Sequence, residues 1–220
     1  MHDMNYVRDY YNNIELPDGP FRFSHVHESQ IMNILEKFDT NKAAGIDGLS
    51  GIFLKDGANI LSKPITDLIN LSISLSAVPE SCKIAKLKPL FKKGSKLEPK
   101  NFRPISLLPL ISKVLEKVIH DQMQNFLTEN SILYCYQSGF RKFHSTDTCL
   151  SYLNNKILKG TDIGLMTGLI LIDLQKAFDT IDHEILLEKM VHLQFSTQSI
   201  LWFRSYLTNR TFLVNVEKSF

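Results

Sequence analysis

The run from Leu165 to Leu174 is almost continuously apolar, and a single carboxylate, Asp173, stands near its end. A charge that closes an apolar strand is penalised by desolvation unless a cation compensates it. A hard cation such as Mg²⁺ would do so, since it takes carboxylate oxygens and leaves its other positions to water and phosphate. An acid at a solvent-exposed strand end, capping the next turn, accounts for the same residue without a metal. A second signal is basic: eight Lys and Arg lie between Lys83 and Arg103, against one acid, Glu98. Lysines on a loop can fold over a triphosphate or follow a nucleic-acid backbone, because an ammonium group neutralises phosphate without demanding one geometry. Arg103 adds a planar fork able to hold a phosphate bidentately. A solvated surface loop is the ordinary alternative for such a run.

Other candidates are weaker. His25 and His27 form an HxH with no third ligand nearby, which reads as a surface pair rather than a metal site. His183 lies between Asp182 and Glu184 at a helix start, where the acids complement the helix dipole. The common P-loop, HExxH and GxSxG motifs do not occur. Cys82, Cys135 and Cys149 are odd in number and lack a CxxC pair, against a disulfide framework or a structural zinc and in favour of a reducing compartment.

These residues need a scaffold, and the composition provides for one. The chain has 220 residues, 44% hydrophobic, 10% aromatic and 22% charged, the make-up of an ordinary globular protein with a packed core. The net charge is only +2, so the basic stretch is offset by a net acidic remainder. The opening MHDMNYVRDYYNN has no apolar core, and the strongly apolar run Ile163 to Ile172 is too short to span a bilayer. The expectation is a soluble, intracellular protein without membrane contact.

Residues 1–27 show no sustained period and are assigned no structure. Ile31, Ile34, Leu35 and Phe38 mark an amphipathic helix over 28–38, ended by NKAAGIDG (41–48). Pro64 suits the first turn of a helix that runs towards Leu75. Residues 84–91 and 102–108 read as two strands joined by the basic loop KKGSKLEPKN. The strongest helical period runs from Ile111 to Phe126, and Ser145 is an N-cap for a helix that buries Cys149, Leu150, Leu153 and Ile157. Residues 165–174 suit a strand covered on both faces. Helices over about 182–193 and 198–207 precede a strand at TFLVNV (211–216). The fold class is α/β (α+β).

Five blocks occur in series: NKAAGIDGLSGIFLK (41–55), IAKLKPLFKKGS (84–95), NFRPISLLPLISKVLEKVI (101–119), QSGFRKFHSTDTCL (137–150) and LIDLQKAFDTIDHEILLEKM (171–190). In order and wording they resemble the reverse transcriptases of non-LTR retrotransposons, jockey-like and CR1-like elements in particular. The resemblance implies a right-hand polymerase fragment over 28–220, with about 28–150 mainly fingers and about 151–220 an incomplete palm. It implies RNA-directed DNA synthesis from an RNA template, a DNA primer and deoxynucleoside triphosphates, in the nucleus and cytoplasm.

Residue by residue, Asp173 matches the family's first catalytic aspartate, binding Mg²⁺ (or Mn²⁺) together with the backbone carbonyl of Leu174. Phe178 matches the steric gate that favours deoxynucleotides; its plain reading is a core aromatic, and the two are compatible. Lys92, Lys93 and Arg103 match the residues that contact the triphosphate, with either lysine eligible. Gln137 and Gly139 match a block near the template, and Lys86, Lys88 and Lys142 join them as nucleic-acid contacts. The pattern departs from the family in one respect: the PQGS-like block and the adjacent aspartates of YADD or FADD are absent from these 220 residues. The expectation is a domain truncated before its second catalytic motif, lacking the rest of the palm and the thumb. A non-catalytic nucleic-acid-binding remnant is the alternative.

Overall fold

The computed structural model describes residues 17–214, which carry seven α-helices and one three-stranded sheet. The helices are α1 (Glu28–Glu36), α2 (Gly51–Asp56), α3 (Ala58–Leu75), α4 (Leu110–Glu129), α5 (Thr146–Asp162), α6 (His183–His192) and α7 (Thr197–Leu207). The strands are β1 (Ile84–Phe91), β2 (Phe102–Leu107) and β3 (Thr211–Val214). Two compact units form among the described residues: one from residues 17–126 with 183–214, the other from Leu127–Asp182.

In the first unit, α1 lies against α3 through its apolar stripe, and Ile31, Leu35 and Ile69 are fully enclosed. Pro64 is not in the first turn of α3 but well inside it, because the helix begins at Ala58. An interior proline removes one ladder bond and costs about 3 kcal/mol. Burial of Ile65, Ile69 and Ile73 on the same face offsets that cost. Helix α4 contributes Val114, Leu115, Val118 and Ile119 to the core.

Residues 17–27 are irregular, yet they are built into that core. The backbone of Ser24 exchanges two hydrogen bonds of 2.9 Å with the side-chain amide of Gln122. Val26 does the same with Asn70, at 2.8 and 3.0 Å. Side-chain amides thus satisfy backbone groups that a ladder would otherwise pair. Phe21 bridges Phe195, and the two rings lie 4.6 Å apart in an aromatic cluster with Phe23, Phe126, Trp202 and Phe203. The signal for this packing was aromatic content, which carries no period. Residues 1–16 of that opening segment lie outside the described residues.

The sheet has the order β2-β1-β3, with β1 antiparallel to β2 and parallel to β3. Pro89 stands opposite Pro104, and neither has an N–H to give. Flanking bonds are kept because this pair falls where the antiparallel ladder exchanges none. The two expected strands of the basic hairpin and the strand at 211–214 are present; residues 215–216 lie outside the described region. The loop that ends α1 passes so close to the start of α4 that a Cβ on Gly45 would sit 2.5 Å from the backbone nitrogen of Pro109 and 2.6 Å from the carbonyl carbon of Leu108. Gly45→Ala is expected to destabilise the first unit by about 1–3 kcal/mol through overpacking, measured as the shift in a urea unfolding midpoint.

In the second unit, Ser145 caps α5 as its type requires, accepting the Thr148 N–H at 3.2 Å. The expected buried face of that helix is not formed. None of its residues is buried, and Leu150, Leu153 and Ile157 line an open groove instead. Nor is the strand at 165–174 formed: the segment has no regular structure, and its apolar residues are exposed. A two-sided strand needs neighbours for both its edges and both its faces, and among the described residues the sheet belongs to the first unit alone.

Candidate nucleic-acid interface

In the first unit the basic residues are sorted by the register of the hairpin. Side chains alternate across a strand, and directly opposed residues share a face. Lys86, Lys88 and Leu90 therefore share a face with Leu107, Ile105 and Arg103, their partners on β2. Lys88 and Arg103 are exposed, and Lys86 is half-buried. Lys92 and Lys93 follow at the turn and are exposed.

The turn has a defined shape. Lys92 donates its N–H to the carbonyl of Asn101 at 2.8 Å, continuing the ladder one step beyond the strands. The amide of Asn101 reaches back across the loop to the Ser95 carbonyl at 2.8 Å. Gly94 makes room for it: its φ is +91°, and a Cβ there would lie 2.8 Å from the Asn101 amide nitrogen. Lys96 lies over the ring of Phe91, which in turn meets Phe102 edge-on at 5.5 Å. Glu98, the one acid of the stretch, pairs with Lys100 at 2.8 Å. Lys83 is unlike the others, buried and paired with Glu80 at 2.9 Å. What reaches solvent at the tip is a cationic patch on a hydrogen-bonded turn. Asn101 was missed by the sequence reading, although an Asn closing a Gly- and Pro-containing loop is a turn signal.

In the second unit the QSGF stretch is organised by its own side chains. Gln137 donates to the carbonyl of Gly139 at 3.0 Å, and Arg141 donates to the carbonyls of Tyr134 and Gln137 at 3.2 and 3.4 Å. Phe140 and Phe143 both have positive φ, near 60°, and both rings are exposed. The structure brings Phe178 to Phe140, ring edge to ring face at 6.1 Å. Phe178 is 76% exposed, so it is not a core aromatic among the described residues. Lys142 covers the Phe143 ring at 5.0 Å.

A second group of this unit gave no sequence signal, because its members are distant in the chain. Tyr136 packs against Tyr134 and Tyr152 at 5.5 and 5.6 Å, and Lys156 lies within 5.5 Å of the rings of Tyr136 and Tyr152. The hydrogen bond between the two hydroxyls raises the pKa of Tyr136 and lowers that of Tyr152. Hydrogen bonding to Tyr152 raises that of Lys156.

Asp173 and Leu174 are exposed in the irregular segment, so the desolvation argument for Asp173 does not apply to the site as it stands. Among the described residues, no group of three or more His, Cys, Asp or Glu is placed to hold a metal. Asp173 with the Leu174 carbonyl offers a fraction of the oxygen set that even one Mg²⁺ takes, and a pair of metal ions needs a second converging carboxylate. By that test the described residues do not make a two-metal site. The HxH is accounted for otherwise: His25 is bonded to Ser74 at 3.1 Å, and His27 heads α1. Glu184, beside His183, forms a two-pronged pair with Arg204 at 2.6 and 2.8 Å. No helix among the described residues is long and apolar enough to cross a membrane.

Residues 90–220 match the family model described as reverse transcriptase (RNA-dependent DNA polymerase). A Drosophila melanogaster protein named "Probable RNA-directed DNA polymerase from transposon BS" is 30% identical over 214 residues, covering 94% of this chain and 22% of the relative. The RNA-directed DNA polymerase from mobile element jockey of the same species is 27% identical over 208 residues, covering 92% of this chain and 23% of the relative. A 27% identical jockey polymerase from Drosophila funebris gives coverages of 92% and 22%. The chain spans about a fifth of the length of these curated relatives.

Proposed function

Because this chain belongs to the reverse transcriptase (RNA-dependent DNA polymerase) family, we propose that it is the nucleotide- and template-holding part of an RNA-directed DNA polymerase of a non-LTR retrotransposon. The observation that carries the reading is the hairpin. It sets Lys88 and Arg103 on one face and Lys92 and Lys93 on a turn locked by Asn101, where a triphosphate or a strand backbone would meet several cations at once. Lys92, Lys93 and Arg103 are assigned to the incoming deoxynucleoside triphosphate, Lys86 and Lys88 to nucleic acid. Gln137, Gly139 and Lys142 are assigned to the template side, and Phe178 to discrimination against the ribose 2′-hydroxyl. The contact of Phe178 with Phe140 supports the last assignment, since it gives the gate a fixed neighbour within its own unit.

Asp173 and the Leu174 carbonyl are the proposed Mg²⁺ (or Mn²⁺) ligands, one share of a site that these 220 residues do not complete. The chain by itself is therefore a binding module for RNA template and DNA primer, without polymerase activity of its own.

Two assays on the 220-residue chain test this. Titration with a primer–template duplex is expected to show salt-sensitive binding that Asp173→Ala leaves unchanged, and Mg²⁺-dependent primer extension is expected to give no product. Robust extension abolished by Asp173→Ala would overturn the division between binding and catalysis. Absence of binding at low salt would overturn the proposed function as a whole.

A further inference from the structure

A cavity of about 380 Å³ opens in the first unit between the end of α1, the loop that follows it and one stripe of α4. It is unrelated to the basic hairpin in sequence, and its charged lining is Lys37, Asp39, Lys42, Lys113, Lys117 and Asp121. The two acids have different partners, and only Asp121 is in an ion pair. Asp121 pairs with Lys117 at 2.6 Å, and Asp39 accepts the Asn41 N–H at 3.0 Å. Lys42 lies over the Phe38 ring at 5.6 Å. Lys113 is half-buried and gives one of its three protons to the Ala43 carbonyl at 2.9 Å.

The geometry points to a second phosphate-binding site, in which Lys37, Lys42 and Lys113 hold the phosphodiester backbone of a nucleic-acid strand. Four lysines against two carboxylates leave the lining with a net charge of +2, which a phosphate would offset. The state of Lys113 is consistent with this: burial, then the neighbouring Lys42, hold its pKa below the usual lysine value, against the opposing pull of Glu116 and Asp47. At about 30 Å³ per water the cavity has room for about a dozen waters, hence for a phosphate with part of its hydration. The backbone is preferred to a free nucleotide because the lining offers charge without an exposed aromatic face for a base. This inference rests on the nucleic-acid-binding reading of the chain.

The test is lysine acylation of the whole chain, read by mass spectrometry, with a short oligothymidylate or inorganic pyrophosphate as probe. The oligonucleotide is expected to slow acylation of Lys37, Lys42 and Lys113 several-fold. A Lys37→Gln/Lys42→Gln variant, which leaves the packing of α4 untouched, is expected to lower the slope of log Kobs against log salt by about 1.4, two contacts at about 0.7 each. Protection by pyrophosphate and not by the oligonucleotide would overturn the assignment in favour of a free-phosphate site. Protection of Lys92 and Lys93 with the cavity lysines unchanged would overturn this inference and leave the proposed function standing. No protection at any lysine would overturn both.

Discussion

Replacing Lys92, Lys93 and Arg103 together by Gln is expected to weaken binding of a single-stranded oligonucleotide by about 100-fold at 0.1 M salt. Each phosphate contact on a single strand contributes about 0.7 to the slope of log Kobs against log salt, so three contribute about 2, which is about two decades at 0.1 M relative to 1 M. The measurement is a fluorescence-anisotropy titration at several salt concentrations. The same variant should unfold at the same urea concentration as the parent, because all three side chains are exposed and the turn is held by Asn101, Gly94 and the backbone of Lys92. An unchanged salt slope would show that the hairpin is only a solvated loop. Lys83 is the internal contrast: buried and paired with Glu80, it belongs to the fold, and its loss should appear in stability rather than in the salt slope.

Trp202→Ala is expected to be the most damaging single change in the first unit, at about 3–5 kcal/mol. The indole is 1% exposed and packs on Phe23, Phe203 and Tyr206, the last ring stacked on it at 5.5 Å. Its N–H donates to the hydroxyl of Ser72 at 2.9 Å, and that hydroxyl donates to the Ala77 carbonyl at 2.6 Å. Removing the ring leaves a cavity where α3, α7 and the Phe21–Phe23 segment meet, and leaves Ser72 with one partner fewer. A loss of that size is a large share of the stability of an ordinary domain, so the variant should be marginal at 37 °C. Trp202→Phe, which keeps most of the ring and drops the hydrogen bond, should cost markedly less. Chemical unfolding of both variants, followed by circular dichroism, makes the comparison.

The family and much of the first unit were legible in the residues alone, because the relevant signals are local. Helix α1 follows from the spacing of Ile31, Ile34, Leu35 and Phe38, and α4 from the period between Ile111 and Phe126. The hairpin follows from two apolar runs around a Gly- and Pro-containing loop, and Ser145 is a cap because its hydroxyl can reach only the first turn of the helix behind it. The five blocks carried the resemblance for the same reason: each is a short stretch whose identity needs no partner to be read.

What depended on partners could not be read that way. Leu165 to Leu174 has the composition of a strand and α5 has an apolar stripe, but neither composition nor period says whether a covering surface exists, and among the described residues both remain exposed. Pro64 suits a helix start by its own ring, whereas the burial of Ile65, Ile69 and Ile73 carries α3 through it. The opening segment shows no period because its order comes from Gln122 and Asn70, residues far along the chain that satisfy its backbone. The lysine-lined cavity is the same case. Lys37 and Lys42 are ordinary surface residues in sequence, and only packing of the α1 end against α4 brings them to Lys113. Local chemistry determined the elements and the candidate groups; long-range contact decided which of them are enclosed, which stand free, and which cations share a space.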